Sequence, residues 1–261
     1  MDRGKWKQTF QRQSAPPWPC PACNTGTLVI QPKTISVEET SFSRRSRSAE
    51  DWDFNDVNYS FAGLLQCNRP TCKGPVAICG TGGVEPIPDE EGGYDFEEYL
   101  EARFLYPAPA IIRIPSSCPR NVRDQIEGAF SLFWSNLPAA ANSIRGSVEF
   151  LLDHLGLKRY EQANGRRRRL SLHSRVELFK GKNAELGEPL LALKWIGNEG
   201  SHAGALTKDD LLDAFELLDY IVDELFGNKR KSVRQLSKQI IKRKGARSRP
   251  KRVRKTSSAK S

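Results

Sequence analysis

The chain has 261 residues, with 41 Lys plus Arg, 31 Asp plus Glu and a formal net charge of +10. That length allows one or two domains, and no stretch approaches the roughly 18 consecutive apolar residues a helix needs to cross a bilayer. The charge is unevenly placed: residues 227–261 hold 15 Lys/Arg and no Asp or Glu, which leaves 26 basic against 31 acidic residues in 1–226, a net of −5. A polyanionic partner, with nucleic acid the usual one, is therefore a property of the tail and not of the body.

The opening MDRGKWKQTFQRQ is polar and has no apolar core of a secretory signal, so a cytoplasmic protein is expected. In that compartment six cysteines point to metal or free thiols, not disulfides. Residues 1–18 end in Pro16-Pro17-Trp18 and read as an irregular lead-in.

Residues 19–83 carry short apolar runs at 27–30, 61–65 and 76–78, punctuated by Gly, Pro and Asn, the pattern of short strands. An inserted loop is expected over 36–58. Cys20-Pro21-Ala22-Cys23 is a C-x2-C pair and Cys67 to Cys72 a C-x4-C pair. Two such pairs place four thiolates round one tetrahedral ion, and Zn²⁺ suits an all-sulfur set without redox chemistry. With no open position the zinc is structural, and it supplies folding energy to a segment poor in core residues. Cys79 is an alternative ligand, and Cys118 reads as a free buried thiol. Residues 84–118 are rich in proline and read as a connector with one short helix around 96–103.

From Pro119 the period turns helical. Val122, Ile126, Ala129 and Phe133 share one face; Ala141, Ile144, Val148, Leu151 and Leu155 share the next, stopped by Gly156. Arg166–Arg169 reads as a basic loop. A third helix places Leu172, Val176 and Phe179 in register, and a fourth runs from Pro189 to His202. A fifth opens at Thr207 with Asp210 reaching back, and its stripe is Leu211, Phe215, Leu218, Val222 and Leu225. Short loops between such helices imply an antiparallel bundle over 119–227. Trp134 and Trp195 read as core. In the basic tail, 228–261, Val233, Leu236 and Ile240 share a face, and disorder is expected beyond Gly245.

Two glycines, Gly197 and Gly200, interrupt the fourth helix, and close approach of another backbone is a reason for them. Lys194, Asn198 and His202 are spaced by four and form one row, as do Arg145 and Glu149 on an earlier helix, a pair expected to be buried.

The segments AAANSIRGSVEFLLDHLGL, LHSRVELF, LKWIGNEGSHAG and TKDDLLDAFELLDYIVDELF resemble the domain-of-unknown-function 4145 family, regarded as a branch of the HEPN helical bundles. The resemblance spans Cys20 to Gly227, with the cysteine pairs looking like the ribbon that often precedes this domain. It implies a mainly α fold, a HEPN-like antiparallel bundle behind a small β-rich zinc ribbon. It also implies a homodimer through the bundle and a partner protein in bacterial anti-phage or restriction-modification defence. Many HEPN relatives are metal-independent ribonucleases with an Arg separated from a following His by four to six residues. In this chain the corresponding positions 195, 196 and 197 are Trp, Ile and Gly.

Two functional expectations stand beside a third, a protein-interaction module without nucleic acid. The first is a nucleic-acid-associated binding or adaptor protein whose tail contacts phosphate through Arg243, Lys244, Arg247, Arg249, Lys251, Arg252, Arg254 and Lys255. The second is a homodimeric ribonuclease with His202 as acid/base, Asn198 as its polar companion, and Lys194 or Arg145, beside Glu149, stabilising charge.

Overall fold

The computed structural model of the chain describes residues 1–89, 92–163, 165–199, 206–227 and 229–244. A short helix, α1 (Gly4–Lys7), leads into β1 (Leu28–Ile30), β2 (Ser36–Glu39), α2 (Ser41–Ser46), a 3-10 turn (Phe54–Asp56), β3 (Tyr59–Cys67), β4 (Pro75–Pro88) and β5 (Tyr94–Tyr106). All pairings are antiparallel. β3 holds β4 along one edge, and on the other edge β1 and β2 lie end to end, against Leu65–Cys67 and Tyr59–Ala62. β5 closes the far side against β4.

This sheet corrects the expected fold class. Helices take 43% and strands 24% of the described residues, and a curled antiparallel half-barrel precedes the helices, so the fold is not mainly α but α+β. The difference lies in residues 84–106, expected as a connector with a helix around 96–103 and found as the long β4–β5 hairpin. Pro86 and Pro88 are compatible with a strand there. β3 pairs with β4 only as far as Gly82, so these two prolines, two residues apart, sit where β4 has one free edge that needs no N–H. The expected loop 36–58 contributes β2, which pairs with β3. The expected basic loop 166–169 is the second strand of a small hairpin, β6 (Tyr160–Ala163) with β7 (Arg166–Arg169).

The helical half contains α3 (Arg120–Leu132), α4 (Leu137–His154), α5 (Leu172–Lys180), α6 (Ala184–Glu199), α7 (Lys208–Phe226) and α8 (Lys229–Lys242). The apolar stripes fall as their spacing predicts: Val122, Ile126, Ala129, Ile144, Val148, Leu151, Leu211, Phe215, Leu218 and Val222 are all buried. Asn136 caps α4 by accepting from the Ala139 N–H, and Thr207 and Asp210 form a capping box on α7. The end of α4 is a Schellman turn, in which the Gly156 N–H donates to the Asp153 carbonyl and the Leu157 N–H to that of Leu152.

Residues 1–18 join the two halves. Trp6, Phe10 and Trp18 are buried, and Trp134 of the bundle packs on both tryptophans, with ring centroids 6.1 and 5.1 Å away. Phe10 exchanges backbone hydrogen bonds with Leu100 of β5 and lies 5.6 Å from the ring of Phe61. Outside this wedge Arg3 pairs with Asp213 at 2.6 Å and Lys7 with Asp209 at 2.8 Å, both carboxylates on α7. One continuous apolar core therefore runs from the sheet into the bundle. Among the described residues no helix is long and apolar enough to cross a membrane.

Candidate functional site

The cysteine pairs sit on two similar turns. After Cys20 the chain folds back so that the Cys20 N–H donates to the Gly26 carbonyl and the Asn24 N–H to that of Cys20. In the second turn the Cys67 N–H donates to the Gly74 carbonyl, and the N–H groups of Cys72 and Lys73 both donate to Arg69. The residue after each pair, Asn24 at φ 53° and Lys73 at φ 51°, is left-handed, which reverses the chain beneath the thiols. Gly26 lies so close that a side-chain carbon there would stand 2.3 Å from the Cys67 Sγ.

All four Sγ atoms lie within 4.8 Å of one another. Cys20 and Cys72 are 3.8 Å apart and Cys23 and Cys67 are 3.7 Å apart. A tetrahedron with metal–sulfur bonds of about 2.3 Å has edges of about 3.8 Å, whereas a disulfide requires about 2.05 Å. The donor set therefore fits a single tetrahedral metal ion, and the cysteines are unbridged. The thiols differ in acidity. The Thr25 backbone and hydroxyl and the Gly26 N–H hold Cys23 down at about 5, while burial pushes Cys20 up to about 12 and raises Cys67. A cation in the centre would supply the charge that lets the buried sulfurs ionise. Cys79, the alternative ligand, is in β4 opposite Ala62 and outside this cluster. Cys118 is free and buried, with its thiol pushed up by burial.

In the bundle, Arg145 and Glu149 are partly exposed, 36% and 25%, and stand 3.4 Å apart, so the expected buried pair is a half-solvated one. α6 approaches α4 at this point, because a side-chain carbon on Gly197 would stand 2.7 Å from the Arg145 Cβ. The glycine makes room for a side chain and not for a backbone. Asn198 follows it and is half-buried; Lys194 is buried, with Nζ 3.2 Å from the centre of the Trp195 ring. Trp195 itself is 55% exposed and is not core, whereas Trp134 is. His202 and Gly200 lie outside the described residues, as do Arg247, Arg249, Lys251, Arg252, Arg254 and Lys255 of the tail. Arg243 and Lys244 follow α8 and are exposed.

The pairing of a four-cysteine sheet with a helical bundle defines a two-part protein, one half carrying a cluster that could hold a metal ion and the other helical. Residues 127–246, the helical half, match the family described as Domain of unknown function (DUF4145). Residues 8–107 match a second family, Domain of unknown function (DUF8608), which takes in both cysteine turns and the whole β4–β5 hairpin. The first match runs through α8, beyond the Gly227 limit of the sequence resemblance. No curated protein and no solved structure matches the chain.

Proposed function

We propose that the chain is a zinc-stapled nucleic-acid-binding adaptor. Cys20, Cys23, Cys67 and Cys72 hold a structural Zn²⁺, chosen by an all-thiolate, closed, tetrahedral set. Residues 228–261 hold nucleic acid by its phosphates. The separation of charge carries this reading: 15 Lys/Arg with no acid in 227–261, against a body of net −5.

The start of the tail is an exposed helix. Arg234, Lys238 and Lys242 are four apart and form a cationic row along α8, opposite Val233, Leu236 and Ile240. Arg243, Lys244, Arg247, Arg249, Lys251, Arg252, Arg254 and Lys255 continue the charge. Phosphate contacts of this kind carry no base information, so binding is sequence-independent. The absence of arginine at 195–197 favours binding over ribonuclease chemistry.

The test compares the full chain with a variant in which the tail Lys and Arg are replaced by Gln. With six to ten phosphate contacts, wild-type affinity for duplex or single-stranded probes falls by roughly 10³–10⁵ between about 50 and 200 mM salt. The variant should bind weakly with a flat salt response. Equal affinity in the two chains would refute the tail as the contact.

A further inference from the structure

Four arginines that the tail reading does not use converge on one cleft of about 420 Å³, lined by Arg145 and Glu149 of α4, Arg159, Arg169 at the end of β7, Ser171, and Arg175 of α5. The sequence brings them together by three local devices. The Schellman turn ends α4 and sends the chain back past Arg159. The β6–β7 hairpin returns it, with the Leu170 N–H donating to the Arg159 carbonyl. Ser171 then caps α5.

The arginines are differently restrained. Arg175 is almost wholly buried, at 3% exposure, and its Nη2 donates to the Asp153 carboxylate at 2.7 Å and to the Leu157 carbonyl at 3.0 Å. The Arg159 Nε donates to the same carboxylate at 2.9 Å. Arg159 and Arg175 together hold the Asp153 carboxyl below its usual range. Glu149 has Arg145 at 3.4 Å and Arg169 at 3.9 Å, too far for a strong bond to either. The Nε atoms of Arg145 and Arg175 are buried and have no hydrogen-bond partner among the described residues. Two other hairpin arginines are engaged, Arg168 with Glu161 at 2.8 Å and Arg167 over the Tyr160 ring at 4.0 Å.

Four guanidinium groups line the cleft against two carboxylates, Glu149 on its wall and Asp153 bonded to Arg159 and Arg175, which leaves an excess of two positive charges. We infer that this cleft is a binding site for a phosphate group. A phosphate carries about −1.5 to −2 charges near neutral pH and accepts on all its free oxygens, which matches both the excess charge and the planar donors. The start of α5, where Ser171 and Leu172 line the cleft, adds backbone N–H groups of the same polarity. This deepens the nucleic-acid reading by giving the body its own phosphate contact beside the tail.

The experiment titrates the full chain, tail intact, with inorganic phosphate, adenosine 5′-monophosphate and adenosine, by calorimetry at low salt. Saturable binding of phosphate or of the monophosphate, and none of adenosine, is expected. Similar affinity for the two assigns the site to phosphate alone, and tighter binding of the monophosphate assigns it to a nucleotide end; either supports the site. Arg169→Gln and Arg145→Gln should each weaken binding about tenfold, the loss of one charge-assisted contact. Arg168→Gln, off the cleft, should leave binding unchanged. Wild-type chain that binds neither phosphate nor the monophosphate, or an equal loss in Arg168→Gln, overturns the inference. The tail variant separates the two proposals: phosphate binding that survives the loss of polynucleotide binding is what a cleft independent of the tail requires.

Discussion

At Gly197 two effects of opposite sign meet. A glycine inside a helix costs about 1 kcal/mol relative to alanine, so Gly197→Ala gains that much from the backbone. The added carbon, however, stands 2.7 Å from the Arg145 Cβ, an atom that cannot swing away like the end of a long side chain. Overpacking of this kind costs about 1–3 kcal/mol, which outweighs the gain. Gly197→Ala is therefore expected to lower the urea midpoint and to disturb the α4–α6 contact; a more stable variant would show that the two helices part without cost. The other informative single residue is Arg175. It lies three residues after Leu172 and one before Val176, on the face that α5 buries. A charge at a core position is visible in the sequence and signals a paired, functional or structural cation. Its partner Asp153, 22 positions earlier, is not visible, because only the α4 turn and the hairpin bring them together.

Elements were legible in proportion to how regular their burial is. The stripes of α3, α4, α5 and α7 repeat at helical spacing and could be read directly. β5 could not. Leu100 and Ala102 face the core on even positions, but the register shift between Cys79 and Gly80 inserts a residue, and the next core residue is Leu105. A bulge that switches the buried face erases the alternation by which a strand is recognised. The two cysteine turns were legible because their spacing reflects ligand geometry and not packing. For them the expected outcome is one zinc per chain, lost in Cys20→Ser and on strong chelation. β1 is only three residues long and is tied to β3 next to Cys67, so a bound metal would support it directly. A loss of about 3 kcal/mol would lower the thermal midpoint by about 6–12 °C in a chain of this size. Zinc well below one per chain, or a midpoint unmoved by chelation, would remove the metal from the account.

In the whole molecule the sheet and the bundle match separate families, yet they share a core, and the first 18 residues make the join. Their sequence is polar, with Trp6, Phe10 and Trp18 as its only aromatic residues, and nothing in the spacing reveals that all three are buried. Trp134 is the bundle's contribution, 3% exposed and edge-on to both Trp18 and Phe133. If the shared core couples the halves, the chain unfolds in one transition. Trp134→Ala removes a side chain whose loss costs about 3–5 kcal/mol, and the cost should be felt on both sides of the join. Zinc release reports the sheet and far-UV circular dichroism reports the bundle. Both midpoints should fall together in the variant and coincide in the wild type. Two separate wild-type transitions, with only the helical one moved by Trp134→Ala, would mean that the halves fold independently and that the aromatic wedge merely positions them. A coupled body has a consequence for binding as well: a phosphate held in the cleft would stabilise the four-cysteine sheet too, because anything that binds only the folded state stabilises every part that unfolds with it.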